Sequence, residues 1–309
     1  MKIVIIGGGV MGRLWTGRLA SAGHDVAIID ASPQVVSELN RDGVSIQERD
    51  DMTRHAPARA GTGPDGLDTP DMAFFFVKTD RTAEAADRVA PAIGPDTAVV
   101  TLQNGLGNGK TLAERFPARQ IVVGSTEQGG ALTPDRRVLH AHDGDTIVGP
   151  YVEGGDAGFA VRVAAALRAA GLKAEAVPSI AATLWRKRIF AASVLPVAAL
   201  TGLPAARLLD ARVFPAVAAL AGEALAEANA DGCEFRLDEQ LERITSLLSA
   251  APQAKASMLQ DVQARRGTEI DAVTGAIAER AAARGASATV CAAITALVHG
   301  RELAWHIED

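Results

Sequence analysis

Cysteine, aromatic side chains and long apolar runs are all scarce in this sequence, and each shortage excludes something. The two cysteines, Cys233 and Cys291, stand far apart and outside any metal-ligand spacing. They read as buried, unreactive thiols of a reducing compartment, and no metal site is expected. Aromatics make up 4% of the 309 residues, so the cores must be built largely from Ala, Val, Leu and Ile. The most apolar later stretch, 189–203, contains Pro196 and is too short to span a bilayer. Basic charge is short as well. The 31 Lys and Arg against 37 Asp and Glu leave a net charge of −6, without the basic patch of a dedicated nucleic-acid binder. The N-terminal apolar run is cut at once by glycines, unlike a secretory signal. A cytoplasmic protein without nucleic-acid or membrane partners is expected, long enough for two domains with separate cores.

What is present is concentrated at the start. Lys2 to Gly12 reads KIVIIGGGVMG: a β-branched apolar run suited to a buried parallel strand, then glycines at 7, 9 and 12. This is the spacing G-x-G-x-x-G, and a helical segment follows from Val10 to Ala22. Gly7 permits the tight turn, Gly9 lets a pyrophosphate approach the backbone, and Gly12 lets helix and strand pack closely. The helix N-terminus offers unpaired N–H groups and a positive dipole end to phosphates. A second strand, 25–29, ends at Asp30, where a carboxylate can accept hydrogen bonds from an adenosine ribose. Strand, glycine loop, helix, strand and acid together predict a bound dinucleotide.

Further along, Ser32-Pro33 opens a helix to about Arg41, and 44–47 reads as a strand. Residues 48–70 are irregular and rich in Gly, Pro and charge, so an exposed loop or hairpin is expected there. Apolar runs at 72–77, 97–102 and 121–124, with another strand at 146–148, alternate with helical segments. That order predicts an α/β Rossmann domain, a doubly wound and mainly parallel sheet, in which ligands sit at the carboxyl ends of strands. Gly7, Asp30, Lys78 and Asn104 all fall at that edge. Helical periodicity takes over after Pro178-Ser179, in segments 180–200, 213–230, 237–250, 253–265, 267–284 and 287–306. Leu237, Leu241, Ile244 and Leu248 form one apolar stripe. The expected organisation is a dinucleotide-binding domain over 1–178 and an all-α substrate domain over 179–309. Its apolar stripes are compatible with a homodimer.

Two stretches of the helical half carry possible chemistry. In Leu184-Trp185-Arg186-Lys187-Arg188-Ile189, Arg186 and Arg188 read as a solvated face. Lys187 shares a helix face with Ala191 and Leu195, and either snorkels or points into a cleft. Glu269 lies in the first turn of a helix with Thr268 as N-cap, where the helix dipole alone is reason enough for an acid.

These motifs in order, namely the glycine loop, Val77-Lys78, TLQNG (101–105), WRK (185–187), SMLQD (257–261) and TEID (268–271), resemble the ketopantoate reductase family over nearly the whole chain. The resemblance implies a Rossmann domain joined to a helical domain like that of 6-phosphogluconate dehydrogenase. It also implies a nicotinamide cofactor, usually NADPH, that reduces the keto carbon of a 2-oxo acid. Lys187 matches the family's proton-donating lysine, and Glu269 the glutamate that orients the substrate hydroxyl. Asn104 matches the asparagine at cofactor and substrate, Ser257 the serine at the substrate carboxylate, and Lys78 the lysine near the cofactor phosphate. Gly7, Gly9, Val10, Met11 and Gly12 match the cofactor loop.

The chain departs from the family pattern at three positions. Ala191 and Leu195 replace the asparagines four and eight residues after the lysine, which hold ketopantoate. Asp30 replaces an arginine suited to the extra phosphate of NADPH, and a carboxylate there favours NAD(H). The expectation is an NAD(P)H-dependent reductase of a 2-oxo acid with a more apolar pocket. The alternatives are true 2-dehydropantoate reduction, imine reduction, or a nucleotide-binding protein without turnover.

Overall fold

A computed structural model describes residues 1–48, 50, 52–103, 107–152 and 155–306, with backbone only at His306. They form two compact units, Met1–Gln103 with Gly107–Ile180, and residues 181–306. The first unit contains strands β1 (Lys2–Ile6), β2 (Asp25–Ile29), β3 (Val44–Gln47), β4 (Thr53–Ala56), β5 (Arg59–Gly61) and β6 (Met72–Phe75). After these come β7 (Ala98–Thr101), β8 (Ile121–Thr126), β9 (Gly129–Leu132), β10 (Val138–His142), β11 (Thr146–Pro150) and β12 (Ala174–Ala176). Its helices are α1 (Val10–Ser21), α2 (Pro33–Asp42), α3 (Thr82–Val89), α4 (Asn108–Ala113) and α5 (Gly158–Ala169).

The main sheet has the order β12-β11-β8-β7-β6-β1-β2-β5, with every pair parallel except β8 and β11. The apolar run of β1 stands between those of β2 and β6, with Ile3 to Ile6 registered against Val26 to Ile29 and Met72 to Phe75. Near-continuous β-branched and aromatic runs suit strands covered on both faces. After β5 the chain crosses to the far side of β1 and continues with β6, so the strand order reverses at β1, beside the glycine loop. Three of the aromatics pack together in this unit: the Trp15 ring of α1 lies 5.5 Å from that of Phe74 and 5.4 Å from that of Phe76.

The exposed hairpin expected within 48–70 is present, since β4 is a mostly exposed strand antiparallel to β3, but the stretch is more regular than expected. It contributes β4 and β5, and β5 pairs in parallel with β2 as the edge of the main sheet. β4 pairs with β3 in a second, four-stranded sheet of order β4-β3-β10-β9. Helix α1 packs against β1 and β2 on one side and the small sheet on the other. It can approach so closely because residue 17 is glycine; a Cβ there would stand 2.4 Å from Ile46 Cδ1. Polar groups lie in this interface, and they bond to one another. Glu48 accepts from Arg18 at 2.7 Å and pairs with His140 at 2.8 Å, while the other His140 ring nitrogen meets Gln128 at 2.7 Å. The hydropathy of 48–70 hid these strands because they are short and largely exposed, with Arg54, His55 and Arg59 on their outer faces.

The second unit contains α6 (Ala181–Thr201), α7 (Phe214–Ala230), α8 (Leu237–Ala250), α9 (Ser257–Gln263), α10 (Ala276–Ala283) and α11 (Thr289–Leu303). A π-helical turn, Asp271–Gly275, leads into α10. Among the described residues this unit has no strand. Ile244 and Leu248 are buried as the stripe predicts, but Leu237 remains 40% exposed because α8 starts there. Cys291 is fully buried, and burial together with the Glu223 carboxylate pushes its thiol well above the usual range. No helix among the described residues is long and apolar enough to cross a membrane.

Candidate active site

The nucleotide loop is built around the peptide of Gly8, a residue that the glycine spacing leaves as an unassigned x. Its N–H donates to Asp30 Oδ2 at 2.7 Å, and its carbonyl accepts from Arg13 Nε at 2.8 Å. Arg13 is buried in α1, and its guanidinium also donates to Glu38 of α2 at 2.7 Å. Asp30 Oδ1 accepts the Ser32 N–H at 2.9 Å, so both carboxylate oxygens are held by backbone at the end of β2. Each oxygen retains a lone pair for a further donor. Ser32 caps α2 through a long 3.4 Å bond from Val35 N–H, with Pro33 in the first turn, as the sequence predicts.

The three loop glycines are required for different reasons. Gly7 has φ +108°, and a Cβ there would stand 2.9 Å from Phe76 O at the end of β6. At Gly12 a Cβ would fall 1.8 Å from Gly7 O. At Gly9 it would meet no protein atom within 4 Å. The fold therefore demands Gly7 and Gly12, whereas the open space at Gly9 fits a ligand approaching the backbone. Gly9 is also the N-cap of α1 with no side-chain cap, and no acidic residue lies in the first turn to compete with an anion. Val10 and Met11, half-buried, form that first turn. These residues fit the pyrophosphate and ribose of a dinucleotide.

Lys78 is exposed just beyond β6 and opens a short 3-10 turn, Thr79–Arg81. Gln103, at the end of β7, braces that loop: its side-chain amide donates to Val77 O at 2.7 Å and Thr82 Oγ1 at 2.8 Å. Gly8, Arg13 and Gln103 are the positioning residues that sequence reasoning missed, because a hydrogen bond across the chain leaves no periodic trace. Asn104 lies outside the described residues.

In the helical unit, Lys187, Ala191 and Leu195 share one face of α6, and all three are half-buried. The expectation for the flanking cations holds for Arg186, which is exposed, but not for Arg188. The Arg188 guanidinium lies 5.3 Å from the Trp185 ring centroid, and burial together with the Arg280 charge holds its pKa down at about 10. It stays a cation at neutral pH, so this is a packed cation–π contact. Trp185 is buried, and its indole N–H donates to Asp231 Oδ2 at 3.1 Å. This fixes the turn of α6 that bears Lys187. Ser257 is exposed as the first residue of α9, and Glu269 is half-buried immediately before the turn into α10. Both α9 and the π-helical turn pack on α6. Lys187, Ser257 and Glu269, far apart in sequence, thus stand on three adjoining segments of one unit. Thr268 Oγ1 accepts the Ile270 N–H at 3.4 Å, a weaker cap than the spacing suggested.

A glycine loop at the reversal point of a parallel sheet, joined in one chain to an all-helical unit, is the build of a nicotinamide-dependent oxidoreductase. Comparison with known proteins makes this specific. Residues 3–153 match the family model "Ketopantoate reductase PanE/ApbA", and residues 179–302 match "Ketopantoate reductase PanE/ApbA C terminal". A 2-dehydropantoate 2-reductase of Halobacterium salinarum is 30% identical over 91% of this chain and 92% of its own. The PanE/ApbA family ketopantoate reductase of Ralstonia eutropha superposes with a TM-score of 0.87 at 27% identity, covering 98% of both chains. A D-mandelate dehydrogenase, solved with NADH and anilino(oxo)acetate, has the same fold. Its TM-score is 0.92 at 24% identity, covering 98% of this chain and 99% of its own. The chain belongs to the ketopantoate reductase family. It is an NAD(P)-dependent oxidoreductase acting on a CH–OH/C=O couple, with a small keto acid as substrate.

Proposed function

We propose that this enzyme is an NADH-preferring reductase of a 2-oxo acid more apolar than ketopantoate. Residues 1–178 hold the nucleotide and 179–309 form the substrate domain of a cytoplasmic homodimer. The observation that carries this reading is the face of α6, where Lys187 is followed by Ala191 and Leu195. Residues 7–12 and Asp30 would hold a nicotinamide dinucleotide, which when bound would supply the hydride for the keto carbon. Lys187 stabilises the charge developing on the carbonyl oxygen and gives it a proton. Ser257 binds the substrate carboxylate, Glu269 orients the substrate, Asn104 touches cofactor and substrate, and Lys78 lies near the cofactor phosphate. Ala191 and Leu195 offer no polar partner to a substrate hydroxyl, and a site lacking such partners loses the strong discrimination they give.

A panel of 2-oxo acids assayed at 340 nm tests this directly, with 4-methyl-2-oxopentanoate expected to be reduced faster than ketopantoate. Ala191→Asn combined with Leu195→Asn should shift kcat/KM back towards ketopantoate. The two effects should couple, because the positions share a face. Strong ketopantoate activity in the unchanged enzyme would instead favour true 2-dehydropantoate reduction, the activity for which the Halobacterium relative is named.

Cofactor choice rests on Asp30. Its carboxylate, held by the Gly8 and Ser32 amides, keeps lone pairs for ribose hydroxyls and repels a 2′-phosphate. NADH should therefore be preferred, and Asp30→Arg should move the ratio of kcat/KM values towards NADPH. A wild-type preference for NADPH of about tenfold, equivalent to about 1.4 kcal/mol, would refute the assignment.

A further inference from the structure

We propose that His299 and Glu302 of α11 are positioning residues that clamp the segment carrying Glu269 and so set substrate affinity. The inference rests on the proposed role of Glu269 in binding substrate. His299 Nε2 lies 2.8 Å from Asp271 Oδ1, and its Nδ1 lies 3.3 Å from Glu302 Oε2. The other oxygen of Glu302 accepts the Thr268 N–H at 2.7 Å. Residues 268 and 271 are thus both tied to the same turn of α11, on either side of Glu269. Between them Ile270 is fully buried, and the Glu269 carbonyl accepts the Ala272 N–H at 3.0 Å. The backbone of Glu269 has little freedom while both ties hold. The π-helical turn begins at Asp271 itself, and such turns recur at functional sites.

The two imidazole contacts, to Asp271 and to the Glu302 that holds Thr268, together require both ring nitrogens to carry protons, because each faces a carboxylate oxygen. Among the described residues, the charged groups acting on His299 are Asp271, from the π-helical turn, and Glu302, from its own helix; both are acidic. They raise its pKa above the usual histidine value, the hydrogen bond to Asp271 first and burial working against it. The sign follows. Below that raised pKa the imidazolium bridges both carboxylates. As pH rises through it the neutral ring keeps one N–H and releases one partner. Substrate KM should rise across that window, while NADH binding, which involves none of these residues, should not change.

The test compares wild type, His299→Gln, Glu269→Gln and the double variant, with 4-methyl-2-oxopentanoate and ketopantoate as probes and NADH fluorescence titration in parallel. His299→Gln is expected to raise KM about three- to tenfold, within the range of coupled neighbours, and to abolish the pH-dependent rise. It should add nothing in the Glu269→Gln background, and NADH affinity should be unaltered throughout. Unchanged KM and pH profile in His299→Gln, beside a raised KM in Glu269→Gln, overturn the clamp and leave the proposed role of Glu269 standing. Unchanged KM in Glu269→Gln removes that role and the clamp with it. Should His299→Gln fail to fold, Glu302→Gln, which weakens both the imidazole contact and the Thr268 tie, is read by the same criteria.

Discussion

Lys187→Ala is expected to lower kcat by ~10²–10⁴-fold, the usual contribution of a general acid, while the dissociation constant for NADH hardly moves. The loop residues proposed to hold the dinucleotide all lie in the Rossmann unit, so the binding measurement is independent of the lysine. Stability should survive too. Lys187 is half-buried on α6, and truncation removes part of its stem rather than a packed core group. The comparison to make is steady-state kinetics on the best 2-oxo acid beside fluorescence titration of NADH. A fall in turnover below about threefold in a folded variant would make Lys187 a structural cation and withdraw the proton-donor assignment.

Gly9→Ala and Gly12→Ala should fail in opposite ways, though both change one hydrogen to a methyl in the same loop. At Gly12 the new Cβ would lie 1.8 Å from the Gly7 carbonyl oxygen, an overlap that only movement of α1 away from β1 can relieve. Overpacking this severe costs about 3 kcal/mol, the upper end of the usual range, against about 1 kcal/mol returned by alanine's better helix propensity. Gly12→Ala should therefore lower Tm by several degrees, roughly 4–8 °C for a net loss of about 2 kcal/mol. At Gly9 the methyl meets no protein atom, and the backbone, at φ −75°, suits alanine. Gly9→Ala should keep the wild-type Tm yet weaken NADH binding by about tenfold or more, near 1.4 kcal/mol, by standing where the pyrophosphate must come. Differential scanning calorimetry and fluorescence titration separate the two. Wild-type NADH affinity in Gly9→Ala would mean that the cofactor does not approach the backbone there.

The central strands of the main sheet and the long helices were legible in sequence because their burial is periodic or continuous. The run MAFFFV announces a strand covered on both faces, observed as β6, and the glycine spacing announces the turn after β1. The candidate residues Lys187, Ser257 and Glu269 were legible only through family motifs, since a lysine or a glutamate on a helix has an adequate structural explanation by itself. Strands β4, β5, β9 and β10 were not legible. They are short and carry few buried apolar residues, and the groups buried in or beside them include Glu48, His140 and Gln128, which hydropathy counts as exposed.

The amino-acid sequence alone determined the nucleotide loop, the change from alternating strands and helices to helices only, and the apolar replacements at 191 and 195. Each is a local pattern of residue types, and backbone sterics and helix or strand geometry convert such patterns directly into structure. Only the tertiary structure decided which groups fix that chemistry in space. Arg13 and Asp30 grip the two ends of the Gly8 peptide, Gln103 braces the loop of Lys78, Trp185 anchors to Asp231, and α11 ties down both flanks of Glu269. These partners stand from five to dozens of residues apart. A hydrogen bond depends on distance and direction in space, which folding brings about and residue spacing does not encode.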